Sequence, residues 1–488
     1  NGNNAHAIRL GDSSSFNNIS SNTISLNGNT AHGVYLTGSS DSAYISSNTI
    51  TDTSVNNEAI YIVASDNAII EHNTITLSGG RAIELNGAVT NNTITNNNIE
   101  VSSGGYGIIL LSGPYNNMVS YNNVTGSLVS HSIYLVNGDD NTIYHNIVDV
   151  ASTGEPVMYL NVGSENNNIS TNIITTSDVG SHGIRVENSD NNLFEYNNVT
   201  ATQTSGYGFR LNNADNNTIF ANNINGTSTS TNGIDISNST NNKLYSNFIN
   251  TLYYGAEGIY LDDGTNNTNI SMNQIVTEGE DAYGIYIYRD SSNNYFNSNN
   301  ITVLTSIGVM VRVDSDDNEF HSDTVNVGNN ASFYIYQNAA GTTLDDVIIN
   351  NGPNISSSSM DNISIGGVVA IPPDVDNLSN MSDYLTINSQ GDGAHIDLNL
   401  SYTTVDVTNV SESSIRLYEY NGSNWTLVST SGVDTLNNVV YSGEIINFSI
   451  FAPFGTSGAF NPTINNIECS VDNGTNWSTC SSVTYGGG

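Results

Sequence analysis

The chain has 488 residues, of which 46 are Asp or Glu and only 8 are Lys or Arg, for a formal charge of −38. That balance excludes duplex nucleic acid and anionic lipid as broad electrostatic partners, because both are held by Lys and Arg that displace counterions. No run of about 18 apolar residues exists, which excludes a membrane-spanning helix, and the first residues lack the charged and apolar regions of a signal peptide.

From the N-terminus, phrases of the "GIYL" type place an apolar start at Ile8, Val34, Ile60, Ile83, Ile108, Ile133 and Met158. The series continues at Ile184, Phe209, Ile234, Ile259, Ile285, Val309 and Phe333, always at intervals of 23 to 26 residues. Each unit holds three short segments, "GIYL", "N-x-I" and "N-x-I-T", in which apolar and polar residues alternate as in half-buried strands. Three such strands per turn of about 25 residues predict a parallel β-helix of about 14 coils over residues 1–352. At ~4.8 Å per coil the rod would be roughly 60–70 Å long.

Asparagine recurs at one place in this unit. Asn22, Asn48, Asn73, Asn97, Asn122, Asn146, Asn172, Asn197, Asn222, Asn247, Asn273 and Asn299 fall, in most coils, two residues before the apolar residue of the third segment. At a bend between strands, Asn tolerates a left-handed backbone. Its amide can donate to the Asn of one neighbouring coil and accept from the other, giving a structural ladder of the kind known from cross-β packing. Asp323 and then Val347 occupy the column in the last coils, where the helix is expected to end.

The repeated phrase resembles the right-handed parallel β-helix repeat family, including the NosD-like periplasmic proteins, over about residues 5–350. The resemblance implies an all-β solenoid. It leaves function open, because lyases, hydrolases, adhesins and accessory proteins share the fold. NosD-like proteins are linked with copper-enzyme maturation, yet the 6 Met of this chain form no cluster in the sequence, so no cofactor is expected.

Beyond the rod, Ser, Gly and the pair Pro372–Pro373 mark residues 353–380 as a cap or linker. Alternating segments and an Asn421-Gly422 turn predict a β-sandwich module over 381–460. This stretch resembles an Ig-like module of archaeal and bacterial cell-surface proteins, which implies a spacer after the repeats. Residues 461–488 resemble the first strands of a further, incomplete Ig-like module. Within it, the turn in "CSVDNGTNWSTC" could place Cys469 near Cys480; a disulfide there implies an oxidising setting, and two free thiols are the alternative. Both ends of the chain are expected to cut through a unit, as in a segment of a larger protein.

Candidate chemistry lies on the residue that follows each "GIYL" start, which alternation points outward. That column contains Tyr35, Tyr61, Tyr134, Tyr159, Tyr260 and Tyr286, which could stack on sugar rings or serve as cross-strand ladders. Mid-rod, Arg185, Arg210 and Asp235 follow one another in the same column, with Glu187 and Asp262 close by. These residue types suit polysaccharide lysis or hydrolysis, and they equally suit surface ion pairs. His6, His32, His131 and His182 share the column two residues before the start, and the first two could in principle share a metal. The pairs Asp139–Asp140, Asp262–Asp263, Asp316–Asp317 and Asp345–Asp346 fall at corners, where weak Ca²⁺ binding competes with plain solvated turns. About two dozen N-x-S/T sequons permit glycosylation.

The sequence therefore points to a non-enzymatic extracellular rod of a cell-surface layer, filament or appendage, self-associating or joined to neighbouring modules and able to bind glycans. The alternative is a polysaccharide-active lyase or hydrolase working on the outer face.

Overall fold

The structure is a computed structural model. It describes residues 6–456 except 29, 55, 128, 152–153, 329, 337, 351, 353, 368–371, 373–377, 382–383, 391–393 and 409, together with 468–470 and 477–479. Strands dominate, and no helix among the described residues is long and apolar enough to cross a membrane.

Each repeat folds into one coil of three short strands, and like strands of successive coils pair in parallel. The first strands run from Ile8–Leu10 to Phe333–Ile335. Register follows the repeat without slippage: Ile8 opposes Val34, Ile133 opposes Met158 and Ile234 opposes Ile259. Apolar side chains fill the interior. Ile60, Ile83, Ile94 and Ile99 are wholly buried, as are Phe194, Phe209, Phe296, Phe320 and Phe333. A coil alone cannot bury these side chains, so the stack of coils is itself the core.

The predicted amide ladder is present. The Asn172 side-chain N–H donates to Asn197 Oδ1 at 3.0 Å, and that of Asn197 donates to Asn222 Oδ1 at 3.0 Å. The backbone N–H of each residue donates to the same oxygen of its neighbour, as from Asn197 to Asn222 at 2.9 Å. One expectation is corrected. The left-handed backbone belongs to the residue before each ladder Asn: Ser47, His72, Asn96, Tyr121, Tyr196 and Met272 have φ between 53° and 57°, for example, and none of the ladder Asn does. The Asn side chain must turn inward beneath the bend, while the left-handed residue points outward and accepts Tyr, His or Met.

A second ladder lies five residues earlier. Asn192 donates to Asn217 Oδ1 at 3.2 Å, and Asn167 donates to Asn192 at 3.0 Å. The doubled Asn of phrases such as "DNN" was its signal in the sequence. Glycines before the first strand mark a close approach: a Cβ on Gly233 would lie 2.3 Å from Ile249 Cγ2 and 2.6 Å from the Gly258 carbonyl oxygen.

Parallel stacking stops after residue 349. Thr342–Ile349 completes the last coil, and Asn354–Asp361 returns antiparallel along it. Ile363–Gly367 likewise runs antiparallel to Phe333–Ile335. Leu385–Ser389, His395–Ser401, Arg416–Tyr420, Val439–Ile445 and Ile450–Thr456 extend both layers, again antiparallel. The apolar cluster runs unbroken from Ile19 to Phe451, so these strands cover the open end of the last coil. Further on, Glu468–Ser470 pairs with Trp477–Thr479 as a hairpin. The Cys469 side chain, Cys480 and most of 461–488 lie outside the described residues.

Candidate functional site

Parallel pairing places each outward residue of the first strands on its counterpart one coil away: Tyr35 on Tyr61, Tyr134 on Tyr159, Tyr260 on Tyr286. With coils only ~4.8 Å apart, the rings have no room to lie flat and stand face to face instead. Their centroids are 5.2, 5.2 and 5.0 Å apart, with interplanar angles of 11°, 10° and 23°. The expectation of an exposed line is corrected accordingly. Tyr159, Asp235 and Met310 are 8%, 6% and 6% exposed, Glu84 and Ile109 less still, and the remaining tyrosines of the column are half-buried.

The histidine column closes one side of this line. His6 stacks on His32 at 4.5 Å, and both lean on Tyr35 at 4.8 and 5.0 Å. His131 packs against Tyr134 at 4.6 Å and Tyr159 at 5.2 Å. His32 Nδ1 lies 2.6 Å from Glu58, and Arg81 meets Glu84 at 2.5 Å. Beside them Asn56, Glu58, Gly80, Arg81, Gly104 and Tyr106 line a cleft of about 310 Å³ that sequence reading did not single out. The column on the other side holds the hydroxyl tips. Tyr159 donates to Glu187, and Asn161 donates to the Tyr134 oxygen at 3.4 Å. Burial pushes the Tyr286 phenol up to about 12 and the Tyr159 and Tyr260 phenols further, so all stay protonated donors.

Mid-rod, the aromatic line gives way to charge. Arg185 opposes Arg210, and Arg210 opposes Asp235. Arg185 binds Glu187 at 2.8 Å and lies over the Tyr159 ring at 5.3 Å. Arg210 Nε is 3.9 Å from Asp235, too far for a hydrogen bond, and the guanidinium lies over Tyr207 at 5.7 Å. Asp262 does not join them: Arg289 holds both its oxygens, at 3.0 and 2.7 Å. Burial pushes the Asp235 carboxyl up to about 7 against the pull of Arg210. Burial likewise raises Glu257 to about 7, with Asp235 adding to the shift. His182, Tyr207, Glu257 and Arg289 complete this region, and only their column positions hinted at it.

No group of three or more His, Cys, Asp or Glu among the described residues converges as metal donors. The Asp pairs are engaged locally: Asp139 Oδ1 accepts the Glu165 N–H at 2.9 Å, Asp316 Oδ1 accepts the Ala340 N–H at 2.7 Å, Asp262 and Asp263 hold Arg289, and Asp345 meets His321. More exposed rings lie elsewhere, among them two at the bend between the second and third strands. Tyr121 is 51% and Tyr196 55% exposed there, and Tyr196 meets Phe220 edge-on at 5.2 Å.

The family described as "Right handed beta helix region" matches residues 32–180. A second, "Periplasmic copper-binding protein (NosD)", matches residues 115–254. Residues 32–254 match right-handed β-helix repeat families, in keeping with the parallel stack of coils. Three potential copper donors of the NosD-matched stretch are engaged within the coils. Met158 is wholly buried in the core, His131 Nδ1 lies 3.0 Å from the Pro156 carbonyl, and His182 Nδ1 accepts the Tyr207 N–H.

No curated protein matches the β-helix chain by sequence. Among solved structures it is similar to the A-module of mannuronan C-5 epimerase AlgE6 of Azotobacter vinelandii, with 13% identity and a TM-score of 0.45 over 65% of this chain and 90% of that one. It is also similar to a tailspike protein mutant of E. coli bacteriophage HK620 in complex with a pentasaccharide, with 10% identity and a TM-score of 0.46 over 93% and 83%. The periplasmic alginate epimerase AlgG follows with 13% identity and a TM-score of 0.36 over 64% and 76%.

Proposed function

We propose that this β-helix is a non-enzymatic rod, working outside the cytoplasm, that holds an extended glycan along the outer face of its first strands. The observation that carries the reading is the line of tyrosines, histidines and arginines beside that face, in a chain with only 8 basic residues. The rings cover one another, so they offer edges and hydroxyl tips rather than flat platforms. A glycan would be read through hydrogen bonds, with rings fixing the donors. Two of the carboxylates mid-rod, Glu187 and Asp262, are held by Arg185 and Arg289, which favours binding over turnover. The antiparallel strands after the last coil would serve as a spacer toward neighbouring modules.

Replacing Tyr260 and Tyr286 by Phe keeps the ring stack and removes two hydroxyls. Retention on a panel of immobilised neutral and acidic polysaccharides is expected to fall severalfold with melting unchanged. Wild-type retention no greater than that of an unrelated protein would end the proposal.

A second reading rests on Asp235 and Glu257, two interacting carboxyls each raised to about 7. Carboxyls raised toward neutral pH suit the proton transfers that glycosidic cleavage requires. Release of reducing ends or unsaturated products, lost in Asp235→Asn, would establish it over the binding reading.

A further inference from the structure

The two central arginines are incompletely paired. Arg185 and Arg210 sit opposite each other in register, one coil apart, where like charges repel. Arg185 Nε and Arg210 Nε are both buried without a hydrogen-bond partner. The two side chains nevertheless reach solvent, 24% and 35% exposed.

His182 sharpens the point. Its Nδ1 lies 3.2 Å from the Tyr207 backbone nitrogen, whose N–H can only donate, so Nδ1 is the acceptor. In a neutral imidazole the proton then sits on Nε2. That Nε2 lies 3.4 Å from Arg210 Nη1, also a donor. Two N–H groups therefore converge with no acceptor between them. Burial and the two nearby arginines hold the His182 imidazolium far from forming, with a pKa of about 3, so the ring stays a neutral, single-proton donor. Stacking on Tyr207 at 4.9 Å fixes its plane.

We infer that Arg185, Arg210 and His182 form a subsite for the carboxylate of an acidic sugar, so that the glycan held on this face is a uronate-containing polymer. The inference rests on the glycan-binding reading above. A carboxylate supplies acceptor lone pairs for both guanidiniums and for His182 Nε2–H, which no neutral hydroxyl can do, because a hydroxyl has one oxygen and brings its own proton. Arg rather than Lys suits a planar two-oxygen group. Tyr159 and Tyr207 beside the arginines hold the guanidinium planes in place.

The test compares two forms of one ligand, hexagalacturonate and its fully methyl-esterified counterpart, by calorimetry on the full chain. The acid is expected to bind at least tenfold more tightly than the ester, and Arg210→Gln to erase that preference. Arg185→Gln is the second variant, read in the same way if Arg210→Gln does not fold. Equal binding of acid and ester would overturn the carboxylate subsite and leave the glycan reading standing. A preference for the acid that survives both variants would also overturn it. Binding of neither ligand, nor of any neutral polysaccharide in the panel, would remove both.

Discussion

Replacing Asp323 by Asn should stabilise the C-terminal coils at alkaline pH and do almost nothing in acid. Asp323 ends the first amide ladder. Its Oδ1 accepts from the Asn299 backbone N–H at 2.7 Å and from the Asn299 side chain at 2.8 Å, as a ladder Asn would. The other oxygen, Oδ2, is buried without a partner. In the coils before, the equivalent amide nitrogen donates to a strand carbonyl of the preceding coil, from Asn273 to Leu244 and from Asn299 to Ile270. The ladder's register assigns Phe296 as the corresponding carbonyl for position 323. An ionised carboxylate there meets an acceptor with an acceptor, whereas a protonated one can donate.

Burial accordingly raises the Asp323 pKa from 3.8 to about 7, against the opposing pull of the Asn299 donors. A carboxyl raised on folding favours the folded state fully below its unfolded pKa, and that contribution is lost as pH rises through the folded value. The slope is about 1.4 kcal/mol per pH unit between the two values, so the ionised form costs at most about 4 kcal/mol above pH 7. An amide at this position would carry no such cost and would restore the missing donor. Solenoids open locally, so the assay is amide hydrogen exchange in the last three coils, supported by urea melts, at pH 4 and pH 8. The Asp323→Asn variant should gain ~2–4 kcal/mol over wild type at pH 8 and less than about 0.5 kcal/mol at pH 4. Equal gaps at the two pH values, or a destabilised variant at pH 8, would refute the argument.

Asn197→Ala leaves the Asn172 backbone and side-chain N–H groups without their acceptor; a local loss of ~2–4 kcal/mol should appear in hydrogen exchange of the flanking coils. Gly233→Ala forces a methyl group against Ile249 and the Gly258 carbonyl, and should lower the urea midpoint by the equivalent of ~1–3 kcal/mol. Asp235 faces Arg210, Asn232, Tyr207, Glu257, Asp262 and Asp263, with burial dominant in raising its pKa to about 7. Protonating it strips Arg210 of its counter-charge, so hexagalacturonate should bind up to ~10-fold more tightly at pH 6 than at pH 8, and Asp235→Asn should flatten that profile.

Much of the architecture was legible in the residue order because a solenoid repeats one local decision. The period of about 25 residues, the inward Ile and Val positions and the Asn column together prescribe a parallel stack, and parallel stacking prescribes that each position meets its counterpart one period on. Asn197 had to meet Asn222 and Arg185 had to meet Arg210, whatever the details of the coil. Sequence alone did not decide which way those side chains would turn. The coil spacing of ~4.8 Å set the tyrosines face to face and withdrew their flat surfaces from any ligand. The left-handed residue falls one place before each ladder Asn because the amide has to reach inward beneath the bend. His182 met Arg210 because the turn entering the first strand folds back over that strand, bringing together groups three residues apart along the unit and one coil apart in space. The antiparallel return of Asn354–Asp361 along the last coil was likewise a tertiary outcome. A segment with four serines in eight residues has no strong strand preference of its own, and it pairs because the final coil otherwise leaves its core and strand edges uncovered.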